Sequence, residues 1–450
     1  MSHPLPRTAL SRRTLLRGGA GLIGAAGVLG TTGCGSSDDT AAGGPVELVY
    51  RLWDEQQEVG YKSVFAAFTA ENPGITVRME VLPWDQYWTK LTTELASGKA
   101  PDVFWLTVEN FPDLASKGVL APLDDLLKGA KLDLASYHPN VVQSYKYEDK
   151  QLGVPKDLGV VGLLYNKNLV AKAGITMPEK LTWAPDGSGT FLDVARKLTV
   201  DKAGLKAGQS GFDAGAIKQW GFCSWNHSQT QWLNWIASNG GKAMDAPYGT
   251  FEFAGAKSVE ALQWARDLVF KWHVSPDGTR TNPPTGQATE MFYRGEVAMF
   301  PANNALLPFA LPEVKFPIGV ASMPAGPSGR TVVINGLAEV MFAKTKHPDE
   351  AGKLITFLGS EKAQKLMGDA GYVIPALNGT AAGYSQYWKK KGIDVQPFLD
   401  SAAGSTVNMP IATGWTAKVA DINKVVNELY LDKGDATKVA TAMDEKGNGR

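Results

Sequence analysis

Between residues 48 and 106 the chain switches back and forth between two hydrophobic periods, and this alternation restricts the fold more than any other feature. Residues 48–52 form a short apolar run ending in Trp53-Asp54-Glu55, the pattern of a buried strand that hands polar residues to a loop at its carboxyl end. Tyr61, Val64, Phe65 and Phe68 then recur at helical spacing until Asn72-Pro73-Gly74, where proline cannot continue a helix and glycine accepts a left-handed turn. Ile75, Val77, Met79 and Val81 alternate with polar residues, predicting a half-buried strand. Tyr87, Leu91 and Leu95 mark a second helix closed by Gly98, and residues 102–106 read as a third strand. Strand, helix, strand, helix, strand implies a doubly wound α/β layer, in which ligands bind beyond the carboxyl ends of the strands. Trp53-Asp54 and Trp105-Leu106-Thr107 both fall at such ends.

The amino terminus carries a different message. Ser11-Arg12-Arg13-Thr14-Leu15-Leu16-Arg17, an apolar glycine-rich run over 18–30 and Thr31-Thr32-Gly33-Cys34 together read as a signal peptide over residues 1–34. Adjacent arginines before a weakly hydrophobic core resemble the twin-arginine export signal. The run is shorter than the about 20 apolar residues a membrane-spanning helix needs. Small residues before a cysteine resemble the lipobox, in which the thiol takes a diacylglycerol and becomes the first residue of the mature chain; Thr31 stands where that pattern has an aliphatic residue. The expectation is an extracytoplasmic protein anchored through Cys34 to the outer face of the cell membrane. Residues 35–45, all small or polar, are expected to be a flexible tether.

About 400 residues remain, more than one core usually organises, so two domains are expected. Lys plus Arg and Asp plus Glu are 45 each, and with no long basic stripe nucleic acid is not an expected partner. With Cys34 committed to lipid, Cys223 has no partner for an intramolecular disulfide. The second half suggests helices at 191–198, 258–272 and 349–358, consistent with a second α/β lobe. Trp264, Leu268 and Trp272, four apart, read as a core stripe, and Lys389-Lys390-Lys391 as a solvated helix end.

Several phrases spread over the chain resemble one family, the extracellular solute-binding proteins of sugar ABC transporters, the group that includes maltose-binding protein. They are Glu71-Asn72-Pro73-Gly74-Ile75, Leu95-Ala96-Ser97-Gly98-Lys99-Ala100-Pro101-Asp102-Val103, and Gly153-Val154-Pro155 followed by Leu164-Tyr165-Asn166-Lys167-Asn168-Leu169. Arg294-Gly295-Glu296-Val297-Ala298-Met299, His347-Pro348-Asp349-Glu350-Ala351, and Met409-Pro410-Ile411 through Gly414-Trp415 follow in the family's order. The resemblance implies two α/β lobes joined by hinge segments, a periplasmic-binding-protein-like fold with lobe 1 at 46–157 and 335–376 and lobe 2 at 158–334 and 377–450. It implies chain crossings near 155–160, 331–336 and 376. It also implies a monomer that captures a neutral sugar or oligosaccharide and passes it to the transmembrane subunits of an ABC permease, with no cofactor, metal or catalytic residue.

A sugar offers hydroxyls that need donors and acceptors and ring faces of aliphatic CH that pack on aromatic planes, so carboxylates, amides and tryptophans are expected in one cleft. Trp53, Asp54 and Glu55 follow the first strand, where family positions touch ligand, although Asp54 also reads as a turn-forming aspartate. Trp105 occupies a family aromatic position, whereas Asp102 reads as structural. Glu109 and Asn110 lie in the loop after the third strand, and Asp157 stands beside the first crossing. An acidic site of maltose-binding protein aligns with Gly159 here, so family contacts do not transfer wholesale. In the cluster Trp225-Asn226-His227-Ser228-Gln229 the expected ligand residues are Trp225 and Asn226, with Trp235 in helix core. Asn303, Asn335 and Trp415 complete the set; Ala305 stands where the family often has a tryptophan. Two rivals stay open: a secreted carbohydrate-active enzyme, which needs only two acids, and a binding protein for a peptide, polyamine or other non-sugar solute. The chain has no serine-nucleophile elbow, phosphate-binding loop or His-Glu-x-x-His motif.

Overall fold

The structure, a computed structural model, describes residues 44–282 and 287–449. The signal segment 1–34 with Cys34, and the tether up to residue 43, lie outside the described residues. Strands β1 (Val46–Leu52), β2 (Ile75–Val81) and β3 (Val103–Leu106) are parallel, β1 lying between the other two. A small hairpin of β4 (Lys146–Tyr147) and β5 (Lys150–Gln151) precedes β6 (Val154–Pro155). The chain enters a second sheet with β7 (Asp157–Asn166) and continues there through β8 (Val200–Asp201), β9 (Ile217–Phe222), β10 (Val297–Asn303), β11 (Ile318–Ser322) and β12 (Thr331–Asn335). It returns to the first sheet as β13 (Ala338–Met341), pairs with β7 again as β14 (Ile374–Pro375), and adds β15 (Ser405–Asn408) beside β12. The first sheet is ordered β2-β1-β3-β13-β6 and the second β15-β12-β7-β10-β9-β8, with β11 and β14 also on β7. This is a two-lobed α/β fold of the periplasmic-binding-protein kind.

Local patterns account for the parallel half of the first sheet. Helix Glu58–Glu71 buries Tyr61, Val64, Phe65 and Phe68, the residues at helical spacing. The turn after it passes through Gly74 at φ 98°, open to glycine at no steric cost. Helix Trp84–Ser97 buries Tyr87 and Leu91 and ends on Gly98 at φ 73°, a left-handed cap. In the second lobe, helix Ala256–Phe270 buries Trp264 and Leu268, while Trp272 lies past its end under the Arg196 guanidinium at 4.8 Å. Strand β7 is buried at every residue except Tyr165, because β10, β11, β12 and β14 all pair with it; that explains its unbroken apolar run.

The chain passes between the sheets from β6 to β7 and from β12 to β13, and these two crossings are laced together. Lys156 N–H donates to Leu337 O at 2.9 Å, and Leu337 N–H donates to Asp157 Oδ1 at 2.8 Å. A Cβ on Gly336 would lie 2.0 Å from the Asp157 carbonyl oxygen, so only glycine allows the approach.

A buried polar network reaches from this point into the first sheet. Lys156, 3% exposed, holds Asp157 Oδ2 at 2.6 Å and Gln57 Oε1 at 2.9 Å, and its ammonium stands 4.1 Å above the Trp105 ring. Trp105 Nε1–H donates to the hydroxyls of Tyr50 (2.5 Å) and Tyr61 (3.1 Å). Both hydroxyls donate onward to Glu339 Oε1, at 2.8 and 2.6 Å. Burial pushes the Glu339 carboxyl from 4.5 up to about 7 against the opposing pull of the tyrosine hydrogen bonds and Lys156. Between those two values the unfolded chain has lost this proton and the folded protein still holds it, so the contribution of Glu339 to stability is full below pH 4.5 and is lost as pH rises through 7. Thermal unfolding of Glu339→Gln is therefore expected to lack a stability decline on the order of 3 kcal/mol that the wild type shows across this window. Parallel wild-type and variant profiles would contradict the assignment.

Candidate functional site

The carboxyl ends of β1, β2 and β3 open into a cavity of about 850 Å³ that the second lobe closes from the other side. The first lobe contributes Trp53, Asp54 and Glu55 after β1, Trp84 after β2, and Thr107 to Asn110 after β3. The crossings supply Asp157, Gly159, Asn335 and Gly336. From the second lobe come Gln229, Asn303, Asn304, Phe309, Thr416 and Val419, and Tyr372 stands just before β14.

Charge is divided unequally between the walls. The carboxylates are Asp54, Glu55, Glu58 and Glu109 on the first lobe and Asp157 at the crossing; the second lobe offers the amides of Gln229, Asn303 and Asn304. None of the lining residues is a lysine, arginine or histidine. Asp157 is paired with Lys156 behind the wall and Glu58 with Lys62, at 2.6 and 2.7 Å. Burial raises the Glu109 carboxyl above its ordinary range, only partly offset by hydrogen bonds from its own N–H and the Thr107 hydroxyl. Such a wall accepts hydrogen bonds from hydroxyl donors. Aromatic planes complete it: Trp53 is held edge-on by Trp84, Tyr87 and Trp105 at 5.0, 4.9 and 5.0 Å, and Trp84 itself is 47% exposed.

The structure brings eight of the sequence-predicted residues to this cavity: Trp53, Asp54, Glu55, Glu109, Asn110, Asp157, Asn303 and Asn335. Asp54 keeps its turn role as well, accepting from Gln56 N–H and Gln57 Nε2, both at 2.9 Å. Four predicted residues stand elsewhere. Trp105 is fully buried within the first sheet, where it backs Trp53 and anchors the tyrosine network. Trp225 packs against Phe300 with its ring nearly parallel, 22° and 6.1 Å. Asn226 ties its loop to helix Trp415–Tyr430 by donating to Asn423 O at 2.7 Å. Trp415 is fully buried on Phe251, at 14° and 5.7 Å, and the same helix turns Thr416 and Val419 to the cavity instead. Asp102 is structural, accepting from Val49 N–H at 2.8 Å and from the Thr345 hydroxyl.

The sequence pattern did not single out Trp84, Tyr372 or Phe309, and in the cluster at 225–229, where one or two residues were expected in the cleft, the cavity takes Gln229 in place of Trp225 and Asn226. Trp84 lies three residues past β2, at a strand end as Trp53 does; Phe309 looks like helix core and only its 43% exposure reveals it. Among the described residues no group of three or more His, Cys, Asp or Glu is placed to hold a metal.

Residues 53–365, well over half of the chain, match the family described as bacterial extracellular solute-binding protein. The chain belongs to this family. Its solved relatives include UspC of M. tuberculosis, 31% identical, with a TM-score of 0.77 over 90% of this chain and 100% of that one. Among curated relatives, the multiple sugar-binding protein of Streptococcus mutans is 23% identical over 71% of this chain and 72% of its own length. The sn-glycerol-3-phosphate-binding periplasmic protein UgpB of Escherichia coli is 26% identical over 77% of each. This is a family of binding proteins, not enzymes, that work outside the cytoplasm.

The two classes of tryptophan separate in a mutation pair. Trp415→Ala is expected to cost about 3–5 kcal/mol of stability, as for other buried tryptophans, while Trp84→Ala leaves the melting temperature nearly unchanged and weakens ligand binding. A Trp84→Ala variant with undiminished affinity, measured by calorimetry, would remove that ring from the site.

Proposed function

We propose that the chain is the substrate-binding lipoprotein of an ABC importer, capturing a neutral sugar or oligosaccharide in the cavity between its lobes and delivering it to the permease. The observation that carries this is the composition of the wall: aromatic planes beside carboxylates and amides, with no lysine, arginine or histidine among the described lining residues. A ring with apolar faces and many hydroxyls matches both features. A phosphorylated solute such as sn-glycerol 3-phosphate calls for arginine or lysine at the wall, and none of the lining residues is either. The name of the S. mutans relative supports the same ligand class.

The lobes, at 46–157 with 335–376 and 158–334 with 377–450, act as bodies that close by bending at the laced crossings, so that ligand presence becomes a shape the permease can recognise. Lipid at Cys34 and a short tether keep the monomer at high effective concentration beside its permease. Binding is reversible, without turnover.

The test is a thermal-shift panel of maltose, maltotetraose, cellobiose and arabinotriose, with sn-glycerol 3-phosphate, spermidine and a tripeptide alongside. A ligand that binds only the native state stabilises it, by about 2.7 kcal/mol at a hundredfold excess over Kd, so one or a few sugars are expected to raise the melting temperature and to be recovered intact. A shift confined to the phosphate, amine or peptide, or accumulation of sugar cleavage products, would overturn the proposal.

A further inference from the structure

Gly159 lies on the cavity floor, two residues past the crossing Asp157, and its place in β7 demands nothing of its backbone. The strand is extended there, a conformation open to any residue. Space is what excludes a side chain. A Cβ on Gly159 would lie 2.0 Å from Asn335 Oδ1 and 2.7 Å from Asn303 Nδ2, well inside contact distance. Asn335 comes from β12 and is the direct pairing partner of Gly159, while Asn303 comes from the end of β10 and pairs with Val161. Two amides from two strands on β7 therefore meet over this one missing side chain.

The amides are not spent on each other. Asn303 Nδ2 approaches Asn335 Oδ1 at 3.4 Å, a long and weak hydrogen bond. Asn303 Oδ1 accepts from Ala305 N–H at 2.9 Å, which fixes the orientation of that amide with its nitrogen toward Asn335. The next residue, Asn304, is 2% exposed and accepts from Val160 N–H at 2.8 Å, pinning the same turn to β7. What remains is a second N–H on Asn303 and the whole NH2 of Asn335, on half-buried side chains that line the cavity. The opposite wall carries the carboxylates Asp54 and Glu55, which accept, and these amide donors complement them.

We propose that Gly159 is a specificity-determining position: by lacking a side chain it seats the Asn303–Asn335 amide pair, whose free N–H groups donate to hydroxyl or ring oxygens of the bound sugar. This rests on the cavity being the sugar site. A side chain at 159 would displace the donors, and a carboxylate there would replace them with an acceptor, making the floor like the first-lobe wall.

The test uses whichever sugar of the panel above stabilises the wild type most, with the next best as comparison, titrated by calorimetry. Gly159→Ala and Asn335→Ala are each expected to weaken the best sugar about tenfold, the worth of one hydrogen bond left unmade, and to narrow the gap between the two sugars. In the double variant the loss is expected to fall short of the sum of the two single losses, because one of the two groups displaced by a side chain at 159 is already gone. Asn335→Ala and Asn303→Ala, which create no clash, keep the test decisive if Gly159→Ala does not fold. The Asn303 and Asn335 side-chain NH2 resonances are expected to shift on saturation of the wild type. Unchanged affinity in the asparagine variants, equal losses for both sugars, or additive losses in the double variant would overturn the inference while leaving sugar binding intact. A wild type that responds to no sugar of the panel removes the sugar reading and this inference together.

Discussion

The Lys156–Asp157 pair sits where the chain leaves one sheet for the other, and the arrangement of the cavity hangs on it. Buried charges persist only when paired and hydrogen-bonded, and here each partner serves a different element. Lys156 satisfies Asp157, holds Gln57 and covers the Trp105 ring, while Gln57 in turn bonds Asp54 at the cavity rim. Asp157 reaches the return crossing through Leu337 N–H. One ion pair thereby fixes two crossings, the turn after β1 and the ring that supports Trp53. Glu339 completes the network as a carboxyl that burial pushes up to about 7, so that below this pH the first lobe carries it in its neutral form.

The first lobe was largely legible because its signals are local. A period of two followed by a period of about 3.6, punctuated by Asn72-Pro73-Gly74 and Gly98, needs no tertiary knowledge to interpret. The antiparallel members β6 and β13 were not legible, since both are short, and their partners lie in distant sequence. Within the site, the right segments emerged but not always the right faces. Residues 225–229 reach the cavity through Gln229, and the helix that starts at Trp415 reaches it through Thr416 and Val419. Trp415 and Thr416 are successive helical residues about 100° apart, so a choice one position away decides between core and cavity, whereas Trp225 and Asn226 precede the helical turn of Ser228–Trp232, where no period selects a face. Trp105 is buried like the whole of β3, and only the residues after that strand, from Thr107 on, line the cavity. Tyr372 and Phe309 carry no local pattern that separates them from packing residues.

Polarity, more than shape, gives the site its character. One lobe presents acceptors around aromatic planes and the other presents amides. A ligand with many hydroxyls satisfies both only by touching both, and this links occupancy to the relative position of the lobes. Binding energy gathered on two walls favours whichever arrangement brings them together, and a ligand shifts that equilibrium by no more than its difference in affinity for the two states.

The direct measurement of that link is small-angle X-ray scattering of residues 44–450 with and without saturating sugar from the panel. A smaller radius of gyration is expected in the saturated protein, reverting when the sugar is dialysed away. An unchanged radius at full occupancy would contradict the link, because the cavity would then be a rigid site that reports nothing to a permease.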